Sequence, residues 1–427
     1  MNSITTYKFS ELYEMSSGIS TEANQYGKGS PFLSFSNVFN NFFIPEILDE
    51  KMSSSKEEQE TYSIKEGDLF LTRTSETIDE LAMSSVALKD YPNATFSGFL
   101  KRLRPKRKDK VYPKFIAFYL RSEIFRKTMT VNAVLTLRAS FNEEIFSYIN
   151  LYLPKYEEQV KIGDFLYMIE SKININNKIN NKIEEITDLI YSYWFNNFEF
   201  PNKDGDPYLS AGGELKKVKK NNVQIPIGWD MENFNENKLS EIIKPNINIF
   251  NGEKSYFQTG DIEDDKLLNF KNKITFKKRE SRANMQPIKN SIWFAKMKNS
   301  KKHLYFGKYS SKRINQIILS TGMVGLKIKE NSLEYFWKTI RSKQFEKIKD
   351  LLSHGATQQS VNNEDLNFLP IIIPDQITLN NFSAKTKTLF MKKYFNEEEN
   401  KNLSELRDWL LPMLLNKQVN FSKNKVI

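Results

Sequence analysis

Ser140-Phe-Asn-Glu-Glu-Ile-Phe-Ser-Tyr-Ile-Asn-Leu-Tyr-Leu-Pro154 returns 220 residues later as Ser360-Val-Asn-Asn-Glu-Asp-Leu-Asn-Phe-Leu-Pro-Ile-Ile-Ile-Pro374. Ser140, Asn142, Glu144 and Pro154 meet identical residues, and the apolar positions match in kind. Phe146, Tyr148, Leu151 and Leu153 fall on Leu366, Phe368, Ile371 and Ile373, an alternation that reads as a strand ending at the proline. At the same offset Lys172, Asn176, Asn180, Glu185, Asp188 and Asn196 meet Lys392, Asn396, Asn400, Glu405, Asp408 and Asn416. Ten identities in 57 positions are thin in a chain rich in Asn and Lys, so the apolar pattern carries the argument: the chain holds two copies of one unit.

Working outward, each copy ends in a long helix. After Pro154, Ile162, Ile169, Ile183 and Ile190 recur in steps of seven, with Phe165, Ile179, Ile186 and Tyr193 as a second line. The second copy offers Phe382, Leu389, Leu403 and Leu410, then Leu406 and Met413, broken by Lys385, Lys392, Asn396 and Glu399. Such heptads with polar breaks read as a coiled-coil seam, and the nearest partner for each helix is its own repeat. An antiparallel pairing about a pseudo-twofold axis is expected, in a register that sets Lys172 against Asn396 and Asn176 against Lys392 so that polar groups meet. Upstream, Arg121-Ser122 with Phe125 and Lys127 corresponds to Arg341-Ser342 with Phe345 and Lys347. Phe9-Ser-Glu-Leu12 resembles Leu239-Ser-Glu-Ile242 at offset 230, so loop lengths differ inside the upstream parts.

The chain therefore divides into a first domain (1–154), a helix (155–197), a linker (198–232), a second domain (233–374) and a second helix (375–417). The linker is rich in Gly, Pro, Lys and Asn and closes on Ile225-Pro-Ile-Gly-Trp229, where Trp229 should pin it to the next domain. Short β-like runs, Asp68-Leu-Phe-Leu-Thr72 and Ser291-Ile-Trp-Phe-Ala295, precede helices near 112–131 and 333–352, so both domains read as α+β.

Composition removes several functions. No Cys is present, which excludes disulfides, thiol nucleophiles and thiolate metal sites. Only two histidines exist, His303 and His354, both reading as loop residues, so a His-based zinc site or Ser-His catalysis is poorly supplied. There is no Asn-Pro-Pro-aromatic tetrapeptide, no Walker loop and no Gly-rich turn after a strand. Ala211-Gly-Gly213 lies in the linker as a joint. No signal peptide and no membrane span is read, which points to the cytoplasm. Lys and Arg number 63 against 52 Asp and Glu, a net charge of +11 that favours a polyanionic partner, although AT-rich coding would also enrich Lys.

Several residues are candidates for phosphate and base contact. The densest basic run is Lys101-Arg-Leu-Arg-Pro-Lys-Arg-Lys108, from which Lys101, Arg102, Arg104, Lys106 and Arg107 are taken; the run reads equally well as a solvated turn before the helix at Tyr112. In the second copy Lys296, Lys298, Lys301, Lys302, Lys312 and Arg313 are interleaved with Tyr305, Phe306 and Tyr309. Arg73-Thr74 and Lys296-Met297 come after equivalent strands, and Arg138, Gln358 and Gln359 precede the Ser140/Ser360 pair. Along the helices Ile169, Asn176, Ile183, Leu389, Asn396 and Leu403 are the positions chosen for partner docking.

With these residues in place, the chain resembles the specificity subunits of type I restriction–modification systems. The resemblance rests on Leu153-Pro-Lys-Tyr-Glu-Glu-Gln-Val-Lys-Ile-Gly-Asp-Phe-Leu166, Asp206-Pro-Tyr208 with Gly212-Gly-Glu214, Ile225-Pro-Ile-Gly-Trp229, and Leu406-Arg-Asp-Trp-Leu-Leu-Pro-Met-Leu-Leu-Asn416. It implies an α+β protein with two pseudo-repeated target-recognition domains, separated by two long helices that form an antiparallel coiled coil. It also implies a non-catalytic subunit that reads double-stranded DNA at a split site, one half-site per domain. Two modification subunits would dock on the helices and bring S-adenosylmethionine, ATP-dependent restriction subunits would join outside them, and this chain would bind no cofactor or metal. The span from Ile162 to Tyr193, about 48 Å of helix, would separate half-site centres by at most roughly 14 base pairs. The alternative is a coiled-coil scaffold for protein partners, which would show no DNA sequence preference.

Overall fold

The structure is a computed structural model that describes residues 4–20, 22–75, 80–132, 139–218, 223–234, 237–268, 270–355, 358–416 and 418–419. It divides into two compact units, Met1–Ile175 with Glu399–Ile427, and Asn176–Glu398.

The first unit opens and closes on one ladder, Thr5–Lys8 antiparallel to Asn150–Leu153. Its central sheet runs in the order Tyr13–Ser17, Leu100–Pro105, Leu69–Thr72, Ser84–Val86, all antiparallel. Successive side chains of a strand point to opposite faces. Leu69 and Leu71 accordingly enter a core with Phe115, Phe118 and Leu153, while Phe70 enters another with Phe96 and Tyr91. With both faces covered, the whole stretch Asp68–Thr72 is buried. A three-stranded sheet, Lys51–Met52, Tyr26–Leu33, Thr95–Phe96, lies beside it.

The second unit closes in the same manner, Asp230–Asn233 antiparallel to Pro370–Ile373. Its first four-stranded sheet has the order Ser240–Ile243, Met323–Ile328, Ser291–Ala295, His303–Phe306. Ile292 and Phe294 face one core and Trp293 and Ala295 the other. A second sheet runs Lys273–Ile274, Lys254–Phe257, Ile317–Ser320, Ala283–Met285. Trp229 is fully buried, stacks 4.9 Å from Phe200 and donates its indole N–H to Asp375 at 2.9 Å. The linker is pinned at the residue anticipated, and it folds on the way as the hairpin Leu215–Val218/Val223–Pro226.

In both units a helix pair breaks at an Arg-Ser dipeptide. Ser122 Oγ accepts from Phe125 N at 3.3 Å, and Ser342 Oγ from Phe345 N at 3.1 Å. These serines start the second helix of each pair, Glu123–Asn132 and Lys343–Leu352.

The two long helices are Tyr156–Tyr191 and Gln376–Leu415, and both units contain a part of each. Near the start of the first, Gly163 is required by close approach: a Cβ there would lie 2.7 Å from Phe115 N. In the first unit Ile162, Leu166, Ile169 and Ile173 are buried, and in the second Asn176, Asn180, Ile183 and Thr187, always in steps of four and three. The second apolar line expected from the sequence stays outside: Ile179, Ile186 and Tyr193 are exposed. Within the first unit Glu170 pairs with Arg407 at 2.5 Å and Lys172 with Glu399 at 3.2 Å. Within the second, Asn396 donates to Asn180 at 2.8 Å, and Glu184 meets Lys393. Residue numbers rise along one helix as they fall along the other.

The register differs from the one expected. Asn396 sits against Asn180, eight positions from Lys172. Two amides satisfy a donor and an acceptor without desolvating a charge, whereas Lys172 at the anticipated place would bury an ammonium. Lys172 instead keeps a half-exposed pair with Glu399.

Candidate nucleic-acid interface

Of the basic run, Lys101, Arg102 and Arg104 lie on strand Leu100–Pro105 and Lys106 and Arg107 follow it; all five have partners inside the unit. Lys101 is buried and donates to Ser17 Oγ at 2.8 Å; burial, and then the charge of Arg73, hold its pKa below the usual lysine range. Arg102 donates to the carbonyls of Ser63 (2.7 Å) and Thr61 (3.2 Å) and lies over Phe96. Arg104 forks onto the fully buried Asp68 through Nε (2.8 Å) and an Nη (2.6 Å). Lys106 reaches the carbonyl of Ser10, and Arg107 pairs with Asp109. The run divides: residues 106–109 are exposed and lead through a turn to the helix Pro113–Tyr119, as the solvated-turn reading expects, whereas Lys101, Arg102 and Arg104 are held in the strand. Strand pairing points these side chains at carbonyls and a buried carboxylate, so Lys101, Arg102 and Arg104 are struts. Among the five, Lys106 and Arg107 remain exposed.

The strand-end loops are placed differently. Arg73 is exposed, its N–H donates to Phe99 O at 2.8 Å, and its carbonyl accepts from Phe141 N at 2.8 Å. In the second unit Lys296 N donates to Gly322 O at 2.9 Å, and Lys296 O accepts from Val361 N at 3.0 Å. Thr74 pairs with Ser140, and Met297 bridges to Ser360. Both units thus hold a cationic residue in the same backbone frame, at the end of a central strand. Arg282 stands beside Lys296; burial and then this neighbour keep the Lys296 pKa below its ordinary value.

The loop after Lys296 is braced from behind. Lys298 donates through its backbone N–H to Gln359 O (3.0 Å) and through Nζ to Gln359 Oε1 (2.8 Å). Asn299 N reaches Asp350, Ser300 O accepts from the buried Lys349, and Lys302 Nζ reaches Thr259 O. His303 is no loop histidine: it is buried in a strand with Nε2 2.9 Å from Glu346 Oε1. Burial pushes the Glu346 carboxyl up, but His303 and Lys349 outweigh it and hold it below the usual range. Glu346 also pairs at 2.7 Å with Lys349, whose Nζ donates to Ser300 O, so His303 and Glu346 brace the loop; among the described residues no cluster has the makings of a metal site. Exposed Gln358, Lys298 and Lys301 are brought to this side, whereas Arg313 is spent on Glu397 and Glu398, with Lys312 beside Glu398. Arg138 lies outside the described residues.

On the long helices Ile169, Asn176, Ile183 and Asn396 are buried and Leu389 and Leu403 half-buried, so these side chains hold the helices together. The outer face carries exposed Met168 and Ile175 in the first unit and Ile186 and Leu189 in the second. Position in the heptad separates the two sets, and the sequence pattern favoured the inner one.

Comparison with known proteins bears on this geometry. Residues 4–185 match a family described as the type I restriction modification DNA specificity domain. The chain is 24% identical over 322 residues to the type I restriction enzyme HindI specificity subunit of Haemophilus influenzae, covering 64% of this chain and 70% of the relative. A solved type I restriction–modification S subunit from M. genitalium superposes with a TM-score of 0.58 over 97% of this chain and 96% of that one, at 12% identity, a likeness of fold.

Proposed function

We propose, for this chain of the type I restriction–modification specificity-subunit family, that it reads a DNA target as two half-sites, one in each unit. The observation that carries this reading is the shared backbone frame that presents Arg73 in one unit and Lys296 in the other. Arg and Lys are the side chains that most often read guanine edges in the major groove, and a strand end fixes such a group better than a free loop. Pseudo-repetition of the two target-recognition units, and antiparallel pairing of their helices as a coiled coil, belong to the same proposal. The matching Arg-Ser caps and the Asn180–Asn396 contact support them.

Specificity subunits of this family are not catalysts. In this reading double-stranded DNA is the ligand, and S-adenosylmethionine is held by two modification subunits and not by this chain. Those subunits cover the outer helix face, where Ile186 and Leu189 are exposed, and restriction subunits that use ATP join beyond them. No helix among the described residues is long and apolar enough to cross a membrane, and the proposed place of action is the cytoplasm. The test is co-expression with the cognate modification subunit, then methylation mapping of variants. Arg73→Gln alters or relaxes one half of the motif and Lys296→Gln the other. If either substitution changes both halves, the one-reader-per-unit reading fails.

A further inference from the structure

The second unit carries a basic segment that neither the family match nor the reading frame around Lys296 accounts for. Its second sheet has Lys254–Phe257 antiparallel to the edge strand Lys273–Ile274 and parallel to Ile317–Ser320, which in turn pairs with Ala283–Met285. Ile274 lies beside Lys254, at the start of one strand, and Ala283 beside Ser320, at the end of its parallel neighbour. The eight residues between them, Thr275-Phe-Lys-Lys-Arg-Glu-Ser-Arg282, therefore run the length of the sheet as a strap.

The strap is anchored. Phe276 packs on a small core of Tyr256, Ile274, Ala283 and Ile318 and meets Phe250 edge-to-face at 5.9 Å. Arg279 lies 4.4 Å over the Phe276 ring. Lys278 N donates to Thr275 Oγ1, Ala283 N to Glu280 O, and Thr321 N to Arg282 O. Lys277, Lys278, Arg279 and Arg282 are exposed, and none has an ion pair among the described residues. The strap's single acid, Glu280, accepts from Gln258. At its far end an Arg282 Nη would stand 3.4 Å from a Cβ on Gly322, whose carbonyl takes the Lys296 N–H, so the strap ends at the reading loop.

The first unit builds the same three strands, Lys51–Met52 antiparallel to Tyr26–Leu33 and that strand parallel to Thr95–Phe96. Its edge strand leads instead into the helix Lys56–Thr61, whose Lys56-Glu-Glu-Gln-Glu60 carries one base and three acids. The corresponding places thus carry opposite charge, one base against three acids in the first unit and four bases against one acid in the second.

We infer that the strap is a phosphate clamp, and that the two units grip the DNA backbone unequally, with Lys277, Lys278 and Arg279 of the second unit supplying sequence-independent hold. The inference rests on the DNA-reading function above but assigns a different task, because phosphate contacts position a protein without reading sequence. Each phosphate neutralised contributes roughly 0.9 to the slope of log affinity against log salt concentration. The experiment titrates salt against binding of the full-length chain to a duplex of arbitrary sequence. The variant carrying Lys277→Glu, Lys278→Glu and Arg279→Glu loses about 2.7 from the slope, whereas Glu57→Gln with Glu58→Gln leaves it unchanged or steeper. A neutral Lys277→Gln, Lys278→Gln variant, checked for an unchanged melting temperature, loses about 1.8 and excludes misfolding as the cause. Wild-type binding with a salt slope that these variants do not reduce overturns the clamp and leaves the reading function standing. Absence of salt-dependent DNA binding by the wild type overturns both, and a protein partner lost in the variants with the slope intact overturns the clamp and assigns the strap to that partner.

Discussion

Arg104 shows how little local charge density says about what a cation does. It stands in the densest basic run of the chain, yet its guanidinium closes on Asp68, 36 residues away in sequence and fully buried. No reading of the run itself contains that carboxylate. Removing the cation would strand a buried charge, and such losses amount to about 3 kcal/mol. Arg104→Ala should therefore lower the stability of the first unit by that order in chemical denaturation while the salt slope of DNA binding stays within error of wild type. A flattened slope with unchanged stability would return Arg104 to the phosphate contacts. The placement of Arg73 and Lys296 at matching strand ends was legible for the opposite reason. Each comes directly after an apolar strand run whose end the sequence marks, and the bonds that fix them come from Ser140/Ser360 neighbours already aligned at offset 220.

At the scale of elements, one line of the helix seam, through Ile162, Ile169 and Ile183, was readable, and the second was misread. Two candidates compete for that second line on the first helix, and hydrophobicity alone favours Ile179 and Ile186 over Asn180 and Thr187. The fold buries the asparagines because Asn180 and Asn396 satisfy each other, and Thr187 because its hydroxyl bonds Ile183 O at 2.8 Å. Asn396→Leu should thus cost about 1–3 kcal/mol by leaving the Asn180 amide unpaired, and adding Asn180→Leu should recover most of it. Additive losses in the double variant would mean that the pair contributes nothing as a pair. A charged contact acts nearby. Burial works to raise the Glu184 carboxyl, but Lys393 and Lys338 outweigh it and hold it at about 2. Because this folded value lies below the ordinary 4.5, the contact's contribution is complete above pH 4.5 and is lost as pH falls toward about 2. Melting of the second unit should weaken across that window, and Glu184→Gln should make the loss shallower. An identical acid profile for the variant would remove Glu184 from the account.

For the whole molecule, repetition was the most informative property of the sequence, since alternating strands, Arg-Ser caps and heptads recur where composition blurs identity. The strap and the His303–Glu346 brace were not readable by that route. The strap lies where the two copies differ in length and charge, and Glu346 falls on Arg126 at offset 220, so the first copy offers no counterpart to either feature. On the proposed function, that divergence is what reading two unlike half-sites would require of the two units. The most direct measurement is a methylation map of DNA from cells that co-express this chain with the modification subunit proposed as its partner. The account predicts one motif made of two short specified halves around a fixed unspecified spacer, with the centres of the halves no more than roughly 14 base pairs apart. A continuous motif, or methylation indifferent to the presence of this chain, would contradict it.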